Sequence, residues 1–168
     1  MSNITIRLAI PADAPDMAEV CKRSWEAAYA GIIPDDYIRE KNAGRPALFA
    51  RIITDENNTQ HVIQADGKTV GIMGIDSPRD KDLGSEVYEL QSIYLHPDCY
   101  RQGIGAQAME FVSSVARNLG KTAITVWLLA DNLNARAFYE KCGFTADGSS
   151  REKEYGKMLT SIRMRKEL

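Results

Sequence analysis

The stretch that most invites a chemical reading is "YRQGIGAQAME" at 100–110, where Gly103 and Gly105 stand one residue apart ahead of a run with helical spacing. Glycines that close a loop before a helix let backbone N–H groups and the helix N-terminus converge on one spot, and they let an anion come close. A phosphate or pyrophosphate is the ligand such a loop suits. The P-loop pattern GxxxxGK[ST] is ruled out, because no lysine follows at the required place. The dinucleotide fingerprint comes nearer, since Gly103 to Ala108 satisfy GxGxxA and Asp131 lies at a suitable distance for a ribose. In that motif the glycines follow directly on the strand, whereas here "HPDCYRQ" separates Leu95 from Gly103. The spacer argues against a nicotinamide-dependent oxidoreductase.

Other reactive residue types form no pattern. Cys21, Cys99 and Cys142 are odd in number and lack CxxC spacing, so they give neither a disulfide framework nor a zinc site and read as buried thiols. His61 and His96 stand far apart, and no metal is expected.

The elements that must position the loop follow from periodicity. Residues 4–10, "ITIRLAI", alternate as a strand; Asp13 then offers an N-cap to a helix with Met17, Val20, Cys21 and Ser24 on one face. The next stretch, to about residue 54, carries Gly31, Pro34 and Gly44 as punctuation and predicts one or two short helices joined by loops. "QHVIQADGKTVGIMGID" at 60–76 reads as two strands turned at Asp66-Gly67, and "EVYELQSIYL" at 86–95 as a third. Beyond the glycines, Ala108, Phe111 or Val112, Val115 and Leu119 recur at helical spacing up to Gly120. A buried strand at 122–129, a short helix closed by Gly143 and a returning strand within 156–165 complete an order βα(α)βββαβαβ. No repeat, linker or low-complexity segment divides the chain, and one α/β domain over 1–168 is expected.

With the elements in place, "ELQSIYLHPDCYRQGIGAQAM" resembles the acetyl-coenzyme A segment of the GNAT N-acetyltransferase superfamily: a strand, a His-Pro turn, then [Q/R]xxGxG opening a helix. The position three before Gly103, usually glutamine or arginine, is Tyr100 here, with Arg101 one place later. A second block, "NLNARAFYEKCGF", resembles the family's NxxAxxFYxxxGF, with Asn132, Ala135, Phe138, Tyr139, Gly143 and Phe144 at the matching positions. Together the blocks cover about residues 86–144. The resemblance implies the GNAT fold: a mixed, mostly antiparallel sheet of six or seven strands flanked by helices, whose splayed central strands form a cleft for acetyl-coenzyme A as cosubstrate. It places Ile93, Tyr94 and Leu95 at the pantetheine arm, Arg101, Gln102, Gly103, Ile104, Gly105 and Ala106 at the pyrophosphate, and Asn132 near the arm's amides.

The activity implied is transfer of an acetyl group to a primary amine by direct attack, with no enzyme nucleophile. An alkyl amine with pKa near ~10.4 is almost wholly protonated at pH 7, so a base is wanted. Glu89 stands where histone acetyltransferases of the superfamily carry a glutamate, and strand alternation would put Glu89, Gln91, Ile93 and Leu95 on one face; a solvated or ion-paired glutamate is the alternative, and Glu86 acting through water another. Tyr139 matches the family's general acid for the departing thiolate, while periodicity alone reads it as core.

For the acceptor, Trp25, Tyr29 and Tyr37 beside Glu26, Asp35 and Asp36 are an aromatic and acidic set suited to a cationic amine, and equally to helix packing; Gln91 joins them as a substrate candidate. The likeness to polyamine acetyltransferases is diffuse, and a small-molecule or peptide amine is the expected partner. A net charge of −2 gives no basic field for nucleic acid. No apolar stretch reaches the ~20 residues of a membrane span, and the start lacks the features of a signal peptide. A cytoplasmic protein is expected, with a homodimer possible in principle and a non-catalytic acetyl-coenzyme A sensor as the competing reading.

Overall fold

The computed structural model describes residues 2–168. Seven strands form a single sheet in the order β1-β2-β3-β4-β5-β7-β6. They are β1 (Ile4–Leu8), β2 (Gln60–Ala65), β3 (Lys68–Asp76), β4 (Val87–Leu95), β5 (Ala123–Leu129), β6 (Thr145–Glu154) and β7 (Met158–Glu167). Every neighbouring pair is antiparallel except β4 and β5, which run parallel. The turn between β2 and β3 forms as expected, with Asp66 (φ 49°) and Gly67 (φ 81°) in the left-handed region that a tight hairpin demands.

Helices α1 (Ala14–Ala28) and α2 (Asp35–Ile52) cover one face of this sheet, and α3 (Ile104–Asn118) and α4 (Leu133–Lys141) the other. Under α3 and α4, Met73, Ile75, Leu90, Ile124, Val126 and Met164 join Ala108 and Val112 in the larger core. Under α1, the inward residues Met17, Val20 and Cys21 meet Val62 and Ile72. Strands buried on both faces read as near-continuous apolar runs, and β3 and β5 do so.

Five expectations are corrected. The segment after α1 forms one 18-residue helix that runs through Gly44 and Pro46 rather than breaking at them. Ile38 and Phe49 are buried at either side of that weak point, and their packing outweighs the hydrogen bond Pro46 cannot make. Asp13 stands at the N-cap position of α1 as expected but makes no side-chain capping bond; its carboxylate instead accepts from Arg7 at 2.7 and 2.8 Å and from the Ile10 N–H at 2.8 Å. Leu119, placed on the inner face of α3 by spacing, is 57% exposed because the helix ends at Asn118. The C-terminal region holds two strands, and β6 is the one missed: it is an exposed, polar edge strand with no alternation to betray it. Of the cysteines, Cys21 is buried while Cys99 and Cys142 are half-buried.

Candidate functional site

The parallel pair β4–β5 is bonded only from Val87–Ala123 to Leu90–Val126, and beyond that point the strands separate. Into the fork opens a cleft of about 690 Å³. One strand edge there is unoccupied among the described residues. His96 donates its N–H to Val70 on the β3 side, so alternation turns the N–H groups of Ile93 and Leu95 the other way, into the fork. Such groups need a partner, and an extended chain laid in the cleft would supply strand-like acceptors.

A one-residue irregularity aims this strand. Leu90 pairs with Ile75 and Ser92 with Gly74, which leaves Gln91 as a bulge. The bulge reverses alternation: Leu90, Ile93 and Leu95 face α3 and α4, whereas Tyr94 packs on the α1 face. The expected single face of Glu89, Gln91, Ile93 and Leu95 is therefore wrong, since Glu89 lies opposite to Ile93 and Leu95. Gln91 itself lines the cleft.

At the far end of β4 the loop before α3 turns on Arg101 (φ 60°) and Gly103 (φ 78°), both left-handed. A Cβ built at Gly103 would meet nothing within 4 Å, while one at Gly105 would stand 2.9 Å from the Phe138 ring and 3.6 Å from Leu95. Gly103 thus serves the loop's conformation, and Gly105 the close seating of α3 against α4 and β4. The N-terminus of α3 is presented at the cleft mouth beside Arg101, Gly103 and Ala106. Ile104 is buried in the core, and the Gln102 side chain folds back to donate to the Asp98 carbonyl at 2.8 Å. Any role of these two at an anion falls to their backbones.

Across the fork, Asn132 caps α4: its Oδ1 accepts from the Ala135 N–H at 3.2 Å, and the residue lines the cleft at 9% exposure. Two turns later Tyr139 lies against Phe138 and Phe144, with ring centroids 5.3 and 5.5 Å away. Burial raises its phenol well above the ordinary range, so it stands protonated as a donor on the cleft wall. Burial likewise pushes the Tyr94 phenol up to about 12 and the Cys21 thiol to about 11, which leaves Cys21 inert as a nucleophile.

Glu89 sits just before the fork, in register with Thr125 of β5 and Asp76 of β3. Burial raises its carboxyl above the ordinary range and Asp80 adds to the effect; an Arg79 N–H and the charges of Arg151 and Arg79 oppose it. The cleft lining does not include it.

The aromatic and acidic set expected at the acceptor is divided. Tyr29 lines the cleft, and Trp25 stands behind it, 5.0 Å from Tyr29 and 6.4 Å from Tyr94 between ring centroids. Tyr37 packs instead on Tyr155 at the β6–β7 turn. Glu26 and Asp35 line a separate groove between α1 and α2, and Asp36 pairs with Arg39. Helical geometry is the reason: residues one apart point about 100° away from one another, so the charges face out where the rings face in. Glu86, the alternative base, lies outside β4, just before Val87. Sequence reading missed Trp127, the first β5 residue past the fork, which lines the cleft; its only signal was an aromatic residue in an otherwise aliphatic strand. Among the described residues no three His, Cys, Asp or Glu side chains gather as a metal ion would need. His61 rests against Phe111, with ring centroids 5.7 Å apart, and burial lowers its pKa, while His96 accepts from the Asp98 N–H.

A forked parallel pair, a glycine loop opening a helix at one end and a buried phenol on the wall define an acyltransferase of α/β build. The chain belongs to the Acetyltransferase (GNAT) family, whose model matches residues 21–144. It is similar to the spermidine N(1)-acetyltransferase of Thermoplasma acidophilum, at 27% identity over 165 residues, covering 91% of this chain and 98% of that one. An uncharacterized N-acetyltransferase of Methanocaldococcus jannaschii is 26% identical over 141 residues, 83% of this chain but 60% of the longer relative. In structure the chain resembles the PaiA N-acetyltransferase of Thermoplasma acidophilum, solved with coenzyme A, with a TM-score of 0.80, 20% identity and 99% of both chains covered. YncA of Salmonella typhimurium, solved with acetyl-coenzyme A, gives a TM-score of 0.68 at 21% identity, over 99% of this chain and 95% of the other.

Proposed function

We propose that the chain transfers an acetyl group from acetyl-coenzyme A to the primary amine of a small molecule by direct attack in a ternary complex. The carrying observation is the fork itself: about 690 Å³ of cleft between β4 and β5, with main-chain donors along one edge and the glycine loop at its end. The residues present fit the cosubstrate. Arg101 to Ala106 would hold the pyrophosphate through backbone N–H groups and the α3 N-terminus. Ile93 and Leu95 would bond the pantetheine arm, with Asn132 near its amides. When bound, acetyl-coenzyme A supplies the activated acyl thioester.

Three tasks remain for the protein. It must fix the thioester carbonyl beside donors already in place, which the N–H groups of Ile93 and Leu95 supply without reorganisation. It must take a proton from the acceptor ammonium, the role assigned to Glu89. It must return a proton to the departing thiolate, and Tyr139 is the protonated group on the wall. Tyr29, Gln91 and Trp127 line the remaining wall, and the likeness to a protein named spermidine N(1)-acetyltransferase favours a small cationic amine. The single sheet from β1 to β7 supports one catalytic domain over the whole chain.

The test is a thermal-shift titration with acetyl-coenzyme A, then release of free thiol across amines grouped by class. A ligand that binds only the native state raises the melting temperature as its concentration exceeds Kd. A rise with acetyl-coenzyme A and thiol release with small amines is expected. A rise without thiol release from any amine would instead favour a cosubstrate-binding sensor, and no rise at millimolar concentration would overturn both.

A further inference from the structure

The surroundings of Glu89 hold a polar frame that the cleft lining leaves unexplained. Arg163 of β7 is 4% exposed, yet all five of its N–H groups have acceptors. Nε donates to Asp147 at 2.6 Å, Nη1 to Asp80 at 3.2 Å and Asp82 at 3.0 Å, and Nη2 to Asp82 at 2.6 Å and Ser149 at 2.9 Å. The same Oδ2 of Asp80 accepts from the Trp127 indole N–H at 2.8 Å. Trp127 and Arg163 are cross-strand partners, and the Arg151 guanidinium stacks on the Trp127 ring 4.1 Å from its centroid. Three carboxylates thus share one buried guanidinium, and Asp80 alone among them also holds the Trp127 indole. The cluster lies on the sheet face that carries Glu89, Thr125 and Trp127.

We propose, on the reading that Glu89 takes the acceptor's proton, that Asp80 is the positioning residue of that step. Clamped between Arg163 and Trp127, it holds the 77–86 loop, and with it its own charge, on the sheet face that carries Glu89 and Thr125. In the step, an N–H bond of the acceptor ammonium breaks, the proton passes to a Glu89 oxygen, and the nitrogen keeps the electron pair with which it attacks the thioester. A carboxylate with an ordinary affinity for protons is a poor base for an alkylammonium, and a neighbouring negative charge improves it. The direction of the Glu89 shift agrees: burial raises it most, and the Asp80 charge adds to the rise.

The other charges around Glu89 fit this division of labour. Arg79 of the loop and Arg151 of β6 act the other way and lower its affinity for the proton, and Asp76 is its β3 neighbour. β5 contributes the uncharged Thr125, and Arg163 of β7 stands behind Asp80. The residues that α1 buries carry no charge, and the buried Arg45 of α2 acts on Cys21 and Tyr94.

The experiment is the pH profile of kcat/KM for thiol release with a primary amine, for the wild type and for D80N, R163Q, R163K and E89Q. E89Q should remove the acidic limb. D80N should move that limb to lower pH by ~0.5 unit or more, because the charge that disfavours ionised Glu89 is gone. R163Q should move it to higher pH by freeing three carboxylates, and R163K should restore it. Should R163Q fail to fold, D80N against R163K carries the comparison. If E89Q abolishes the limb but D80N leaves it unmoved, Asp80 is structural only and the inference is overturned. A limb that survives in E89Q overturns it as well and places the base elsewhere. Acetyl transfer itself stands or falls separately, on whether the wild type releases thiol.

Discussion

Replacing Gly105 by alanine tests the seating of α3 most directly. The new Cβ would stand 2.9 Å from Cε2 and 3.1 Å from Cζ of Phe138, well inside the optimal carbon–carbon separation of ~3.5–4.0 Å. Phe138 cannot swing clear cheaply, because Tyr139 lies beside it at 5.3 Å between centroids and Leu95 closes the other side of Gly105. Overpacking of this kind costs about 1–3 kcal/mol. At roughly 2–4 °C per kcal/mol for a domain of this size, the melting temperature should fall by several degrees. The strain is relieved where α3 meets α4, so KM for acetyl-coenzyme A should rise, and kcat should fall because Phe138 adjoins Tyr139. Gly103→Ala is the control with the opposite cause: its Cβ has open space, and only the left-handed φ of 78° is penalised, by about 1–2 kcal/mol. Thermal melts and acetyl-coenzyme A titrations read both. A Gly105→Ala protein that melts within a degree of wild type with unchanged KM would refute the packing argument.

Tyr139→Phe should keep the fold and cosubstrate affinity while lowering kcat by roughly 10²–10⁴-fold; steady-state thiol release decides it, and unchanged kcat would return Tyr139 to a packing role. Asp13→Asn should destabilise at neutral pH. The Arg7 guanidinium and the Ile10 N–H hold the Asp13 carboxyl below its ordinary range, so its contribution is present above the unfolded value of ~3.9 and is lost as pH falls through the lower folded value. Melts from pH 7 to 2 should show the gap to wild type closing, and a pH-independent gap would contradict the ion pair as its cause. Thr125→Val should be neutral or stabilising, because the fully buried Thr125 hydroxyl finds no protein partner and such a group costs about 1–3 kcal/mol; a clear drop in melting temperature would show that the hydroxyl is bonded.

The primary sequence by itself determined the order of elements from β2 to α4, the Asp66-Gly67 hairpin, and the two blocks from 86 to 144 that carry the family pattern. Those features are written in short-range chemistry: glycine where φ is positive, and apolar residues at the period of their element. Tertiary structure decided what depends on distant partners. The bulge at Gln91, invisible in an alternating strand, moved Glu89 to the face opposite Ile93 and Leu95. Packing at Ile38 and Phe49 carried α2 through Gly44 and Pro46, and β6 exists because β7 offers it a ladder, not because its residues alternate. Arg163 and Asp80 are 83 residues apart, and nothing near either one signals the other. Their meeting is a product of the sheet order, which brings β7 beside β5 and the 77–86 loop over both, and it is there that the surroundings of the proposed base are set.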